Sequence, residues 1–366
     1  MKHQLLGGFI MAMSLGASLH SGAQQPNRRA LPEGVIVHKD LAYVPGGHER
    51  QKLDLYLPKG DGKPLPVIVW IHGGGWQAGS KENNPLLAYA TKGYAVASIN
   101  YRLSQHAVFP AQIEDCKTAI RWLRANAKTY NLNPNKIGVA GSSAGGHLVA
   151  LLGTAGDVKE LEGKAGNLDQ SSQVQCVVDL YGPTDFSTMG GSHSEPNSPE
   201  SRLIGGAVTE NKDKVQRASP MTYISKNCPP FLILHGDKDK VVAYTQSVVF
   251  LDALKKVGID ATLITVKEGG HGGPGFTTGE NEKQIELFFE KHLKNNAPDK
   301  KQSEGCTLVT NQPTTAVALG GMAPDFELPR LDTVLRGTSS SNTLETVKLS
   351  SFRGKQPVVV LFSSFT

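Results

Sequence analysis

The chain has 366 residues and a mass of 39.1 kDa, enough for one large domain and a smaller second piece. Hydrophobic residues make up 39% and charged residues 19%, which excludes a chain too polar to fold. Lysine and arginine number 38 against 33 aspartate and glutamate, a net charge of +5, and they are scattered without a stripe or an arginine cluster, which excludes nucleic acid as a partner.

Lys2 gives the N-terminus a positive start, residues 5–19 are largely apolar, and Ser21-Gly22-Ala23 offers small residues for cleavage. This pattern predicts a secretory signal peptide over residues 1–23 and a secreted or periplasmic mature protein. The apolar run is short for a spanning helix, so no stable membrane insertion is expected after cleavage. Residues 24–297 then alternate between two kinds of pattern. Short apolar runs at 67–71, 95–99, 136–140, 174–181, 231–235 and 261–266 read as strands, and helix-period segments at 113–130 and 246–257 lie among them. Ile113, Cys116, Ile120 and Leu123 share one face of the first of these helices. Strand and helix in alternation predict an α/β fold with a mostly parallel sheet and helices on both faces. Earlier runs at 35–37 and 52–56 are expected to pair antiparallel at the sheet edge. Residues 182–221, rich in Gly, Ser, Pro and Asn, break the alternation and read as an insertion over the loops at one end of the sheet.

Gly141-Ser142-Ser143-Ala144-Gly145 follows the β-branched run at 136–140. A strand leading into G-x-S-x-G is the sequence form of a nucleophile elbow, with Ser143 at the tip of a sharp turn and a helix after it. Glycine at 141 and 145 is expected because a side chain there would meet the neighbouring strand or helix. His72-Gly73-Gly74-Gly75-Trp76 follows the strand at 67–71, and three glycines at a strand end can aim backbone N–H groups at a developing oxyanion. A serine hydroxyl needs an imidazole within reach, and the imidazole needs a carboxylate. Glu268-Gly269-Gly270-His271-Gly272-Gly273 supplies the base, His271, in a loop after the last strand. The acid is Asp237 or Asp239, both in the loop after 231–235. His235 is expected to be a satisfied core residue, His147 packed structure, and His72 an organiser of the glycine loop. His193 and Glu195 have poor metal-ligand spacing and read as polar loop. No metal and no cofactor is implied.

The words Leu53-Asp-Leu-Tyr-Leu-Pro58, His72-Gly-Gly-Gly-Trp76, Asn100-Tyr-Arg-Leu103, Phe109-Pro-Ala-Gln112 with Asp115, Gly141-Ser-Ser-Ala-Gly-Gly-His-Leu148, Tyr181-Gly-Pro-Thr-Asp185 and His235-Gly-Asp-Lys-Asp239 occur in order. On these residues the chain resembles the α/β-hydrolase esterases, in the branch of feruloyl and acetylxylan esterases and their lipase-like relatives. The resemblance implies Ser143 as nucleophile, His271 as general base and Asp239 as orienting acid. It implies oxyanion donors at the amides of Gly74, Gly75 and Ala144, the last at the positive start of a helix. By the same resemblance Asp237 is left to cap the turn with its own backbone. The expected function is a secreted serine carboxylic ester hydrolase acting on a small-molecule or polysaccharide ester, with acetyl or feruloyl esters as the implied class. The rival readings are a prolyl-oligopeptidase-like serine peptidase and a hydrolase-fold binding protein without catalysis. Val241-Val242-Ala243 departs from the valine-proline that relatives often carry, which is expected to alter a turn and not the chemistry.

Residues 298–317 read as a polar linker, and 318–366 change character. Met322-Ala-Pro-Asp-Phe-Glu-Leu328, Val347-Lys-Leu-Ser-Ser-Phe-Arg-Gly354 and Val358-Val-Val-Leu-Phe362 resemble the start of a peroxiredoxin or thyroxine-deiodinase-like redoxin, a thioredoxin fold. The resemblance reaches Thr366 just before the place where that family has its reactive cysteine or selenocysteine. A selenocysteine codon read as a stop, or a truncated tail, would each produce that pattern. Four cysteines at 116, 176, 228 and 306 form no disulfide framework, although a bridge between Cys228 and Cys306 is open to an oxidising compartment.

Overall fold

The structure is a computed structural model that describes residues 31–59, 62–295, 327–329 and 346–348. The expected signal peptide, the linker, Cys306 and most of the redoxin-like segment lie outside these residues.

The first strands are β1 (Val35–Ala42), β2 (Lys52–Pro58), β3 (Leu65–Ile71) and β4 (Ala95–Ile99). Helix α1 (Ala111–Ala125), strand β5 (Leu132–Ser142), helix α2 (Ala144–Thr154) and strand β6 (Cys176–Leu180) follow. Two short helices, α3 (Pro199–Ile204) and α4 (Lys212–Ala218), precede β7 (Phe231–Gly236), α5 (Thr245–Lys256), β8 (Ala261–Val266) and α6 (Gly279–Phe289). The eight strands form one sheet in the order β1-β2-β4-β3-β5-β6-β7-β8. From β4 to β8 every pairing is parallel, while β1 with β2 and β2 with β4 are antiparallel. The expected α/β class, the edge hairpin and the parallel sheet are all present.

Burial on both faces explains why the strands read as unbroken apolar runs. In β3, Val67, Val69 and Ile71 enter one core cluster and Ile68 and Trp70 enter the other. The first cluster holds Ile113 of α1, Leu148 of α2 and Phe250 of α5; the second holds Ile285 and Phe289 of α6. Helix α2 is buried along all eleven residues, so it lies sandwiched between the sheet and the elements that cover it.

Helix α1 and strand β5 are among the elements whose extent differs from expectation. Helix α1 stops at Ala125, five residues before the predicted end, because the Asn126 side chain donates to Trp122 O and the chain turns into Leu132, whose N–H donates to Ala127 O. Strand β5 begins at Leu132, earlier than its apolar run, because Leu132 pairs with Leu65 across a register shift. Residues 327–329 and 346–348 form a separate antiparallel pair.

Sheet register sets the position of the loops. Ile71 is opposite Gly141, Ser142 is opposite Leu180, and Leu180 is opposite Leu234. Gly236 is opposite Val266. The loops after β3, β5, β6, β7 and β8 therefore leave the sheet at the same, carboxyl, end, where parallel sheets collect their sites.

Candidate active site

Ser143 stands between β5 and α2 with φ 54° and ψ −119°, a conformation side chains rarely adopt. Its N–H donates to Leu180 O at 2.8 Å, and its carbonyl accepts the first helical bond, from His147 N at 2.9 Å. The turn is tight enough to demand both flanking glycines. A Cβ at Gly141 would lie 2.9 Å from Ile71 O, and one at Gly145 would lie 2.7 Å from His72 O. Both obstacles are backbone, which cannot swing aside.

The other two loops bring an imidazole and a carboxylate to that turn. Ser143 Oγ lies 2.8 Å from His271 Nε2, and His271 Nδ1 lies 2.7 Å from Asp239 Oδ2. An ionised carboxylate can only accept, so Nδ1 carries the hydrogen and Nε2 is free to accept the serine proton. The Asp239 side chain is fully buried. Its Oδ1 accepts the amides of Val241 at 2.8 Å and Val242 at 2.9 Å, and its Oδ2 also receives His235 Nε2 at 3.2 Å. Burial works to raise this carboxyl, but the bonds from His235, His271 and the two amides outweigh it and hold it well below the usual carboxylate range. The acid is therefore charged at neutral pH.

Of the two aspartates left open by spacing, Asp239 meets His271 and Asp237 does not. Asp237 also does not cap its own turn, as expected of it. Its Oδ1 accepts the amide of Glu268 at 2.7 Å, and the neighbouring Lys238 N–H donates to Gly269 O at 2.9 Å. These bonds fasten the acid loop to the loop that carries the base. Gly272 and Gly273, at φ +96° and +116°, let the chain turn away directly after His271, and the Tyr181 ring meets the imidazole edge-on with centroids 4.8 Å apart.

The glycine loop after β3 closes the other side. Among the described residues, the amides of Gly74, Gly75 and Ala144 donate to no carbonyl or side chain. All three residues line, with Ser143 and His271, one cavity of about 380 Å³. His72 holds the loop in place. Its Nδ1 donates to Gly73 O at 2.7 Å, and its Nε2 accepts from Arg50 Nη2 at 3.1 Å. Burial, helped by the Arg50 charge and opposed by the Gly73 bond, pushes this ring down to about 4, so it stays neutral at working pH. His147 is packed as expected, accepting Trp76 Nε1 at 3.1 Å and donating to Ala218 O at 2.7 Å.

Sequence reasoning missed three contributors. Arg50 binds Tyr101 O, Gly79 O and His72 together, a role no motif announces. His235 is a satisfied core residue, as expected, with Nδ1 on Ser247 Oγ at 2.6 Å and Nε2 on Val242 O at 2.9 Å, yet the same Nε2 also supports Asp239. The third is in the insertion. Glu195 is exposed loop, as expected, but His193 sits in a short helical turn (Gly191–Ser194) and binds Glu200 Oε1 through Nδ1 at 3.0 Å. Both His193 and Glu200 line the cavity above Ser143. Ser198-Pro199-Glu200 carried a readable signal, a serine N-cap followed by proline at the first helical position. Cys116, Cys176 and Cys228 are buried free thiols.

Comparison with known proteins agrees with this architecture. The BD-FAE family matches residues 53–254. Esterase LipC of Mycobacterium tuberculosis is 32% identical over 260 residues, covering 67% of this chain and 63% of its own length. The chain spans about half to two-thirds of the length of the curated relatives it matches. Among solved structures, a truncated carbohydrate esterase from gut microbiota is 37% identical, covers 71% of this chain and 97% of its own, and superposes with a TM-score of 0.66. An acetyl ester-xyloside bifunctional hydrolase from Caldicellulosiruptor lactoaceticus is 29% identical over 66% of this chain and 86% of its own, with a TM-score of 0.56. The chain belongs to the BD-FAE family of α/β-hydrolase esterase domains.

Proposed function

We propose that the protein is a serine carboxylic ester hydrolase in which Ser143 is the nucleophile, His271 the general base and Asp239 the orienting acid. The observation that carries this reading is the continuous relay from Ser143 Oγ to His271 Nε2 and from His271 Nδ1 to Asp239 Oδ2, at 2.8 and 2.7 Å. Ser143 Oγ attacks the ester carbonyl carbon as His271 Nε2 takes its proton. The carbonyl oxygen becomes an oxyanion facing the unspent amides of Gly74, Gly75 and Ala144, the last at the N-terminus of α2. His271 returns the proton to the leaving alcohol, which departs from the acyl-enzyme. Water then attacks the acyl carbon with His271 as base, and the acid leaves as Ser143 regains its proton. Asp239 keeps the imidazole in the required tautomer throughout.

The substrate class is an acylated carbohydrate, with acetyl or feruloyl groups on plant polysaccharide fragments. Support comes from the solved relatives, a carbohydrate esterase from gut microbiota and an acetyl ester-xyloside bifunctional hydrolase. The apolar N-terminal run with its small-residue cleavage site supports export to the periplasm or the medium, where such polymers are met. The test is release of acetate or ferulate from a panel of acylated xylo-oligosaccharides, with Ser143→Ala as control. Turnover that falls by several orders of magnitude in the variant is the expected result. Hydrolysis that survives Ser143→Ala, or cleavage of proline anilides with no ester turnover, would overturn the proposal.

A further inference from the structure

The catalytic cavity has one wall that the proposed reaction does not use. Glycine amides, Ser143 and His271 form the reacting side, and Trp76, Tyr181, Pro183, Val241 and Val242 give largely apolar surroundings. His193 and Glu200, both from the insertion between β6 and β7, face the same space. The Glu200 side chain is 5% exposed. Its Oε1 is bound to His193 Nδ1 at 3.0 Å, but its Oε2 is buried with no hydrogen-bond partner. A buried carboxylate oxygen left without a donor costs free energy comparable to a lost bond, so the native arrangement is incomplete as it stands.

Glu200 is also held close to the reacting side. Helix α3 begins at Pro199, and the Pro199 ring abuts the oxyanion loop: a Cβ at Gly75 would lie 3.6 Å from Pro199 Cβ. Ser198 caps this turn by accepting Ser201 N at 3.0 Å, and Ser198 Oγ donates to His193 O at 2.8 Å. The turn that carries His193 and the helix that carries Glu200 are thus tied to each other and packed on the loop that would receive the oxyanion.

Resting on the ester hydrolase reading above, we infer that Glu200 is a specificity residue whose free oxygen accepts a hydrogen bond from a hydroxyl on the alcohol portion of the substrate. An ionised carboxylate takes donors only, which rejects ether, keto and alkyl groups at that point. One buried, unpartnered oxygen at the wall of a mostly apolar cavity matches a single O–H, whereas an ammonium group would bring three donors to walls that offer few acceptors. The leaving alcohol is therefore a polyol or sugar with a free hydroxyl near the ester, not a simple alkyl alcohol. His193 is the positioning residue: it occupies Oε1 and leaves Oε2 as the unpartnered oxygen.

The test compares kcat/KM for monoacetylated methyl xylosides with their deoxy counterparts, each lacking one hydroxyl next to the ester. Wild type is expected to prefer a hydroxylated compound over its deoxy partner by about tenfold to a hundredfold, the usual worth of a hydrogen bond to a charged group. Glu200→Ala should bring that ratio close to one, and Glu200→Gln, which keeps shape and an acceptor but not charge, should fall between. A merely structural Glu200 would lower both rates equally and leave the ratio untouched, and that result overturns the inference. So does a wild type that shows no preference at any hydroxyl, a measurement that needs no variant to fold. Failure of the underlying reading looks different: wild type would then hydrolyse neither member of any pair, nor 4-nitrophenyl acetate.

Discussion

Replacing Asp239 by asparagine should leave the fold standing and stop the reaction. The structure dictates how the new amide would lie. Two backbone N–H groups, of Val241 and Val242, point at Oδ1 from 2.8 and 2.9 Å and require an oxygen there. The amide nitrogen must then occupy the Oδ2 position, where His271 Nδ1 and His235 Nε2 approach at 2.7 and 3.2 Å, each as a donor. His235 cannot exchange its hydrogen freely, because the same Nε2 donates to Val242 O. His271 relieves the clash of donors by moving its hydrogen from Nδ1 to Nε2, which then faces Ser143 as a donor and cannot accept its proton. A wrong tautomer of this kind lowers kcat by on the order of 10⁴, about 5 kcal/mol of barrier. KM should change little, since Asp239 does not line the cavity. The assay is initial-rate hydrolysis of an acetylated xyloside near neutral pH, with thermal unfolding as a check on folding. A loss of less than tenfold in a folded Asp239→Asn protein would refute the tautomer argument. The same variant has a stability signature. The native carboxyl is held below the ordinary value of 3.8, so it contributes stability above that pH which disappears as pH falls through its native range. The destabilisation caused by Asp239→Asn should therefore be largest at neutral pH and shrink in strong acid.

Two further outcomes follow from backbone strain and from burial. Ser143 sits at φ 54°, ψ −119°, so Ser143→Gly should be more stable than Ser143→Ala by roughly 1 kcal/mol, strain relief outweighing the extra freedom glycine has when unfolded; equal unfolding midpoints in urea would count against a strained elbow. Asp179 in β6 is fully buried, with Oδ1 on Gly182 N at 2.9 Å and Oδ2 without a partner, and burial pushes it up to about 6 against the pull of the Gly182 amide and His235. A raised acid is stabilising in its protonated form and becomes a penalty as pH climbs from about 4 to about 6, of about 3 kcal/mol in full. The stability of Asp179→Asn relative to wild type should thus rise by about that amount between pH 4 and pH 7.5, and a difference that does not vary with pH would contradict the burial argument.

The sheet and the reacting groups were legible because local chemistry alone specifies them. The runs at 95–99 and 261–266 match β4 and β8 residue for residue: β4 is buried on both faces, and β8, the half-exposed edge strand, still reads as a short β-branched run that ends where a polar, glycine-bearing loop begins. The elbow was legible because only glycine fits at 141 and 145. Asp237 and Asp239 could not be separated by spacing, because the choice depends on which carboxylate the loop bonds of Val241, Val242 and Glu268 claim. The insertion was opaque for a related reason. Its order comes from contacts distant in sequence, such as Gln246 Oε1 accepting the amides of Thr184 and Asp185, and Phe186 stacked on His147 beside Trp76. Composition shows a polar segment; only those partners make it a wall of the cavity, with Glu200 in it.

The most direct measurement of the central claim is reaction of the purified protein with a fluorophosphonate, followed by peptide mass mapping. One phosphonate per chain, located on Ser143 and absent from Ser143→Ala, is the expected result, with labelling at least a thousandfold slower in Asp239→Asn, by the same order-of-magnitude reasoning. A folded protein that stays unlabelled, or that is labelled at another residue while Ser143 remains free, would contradict the account.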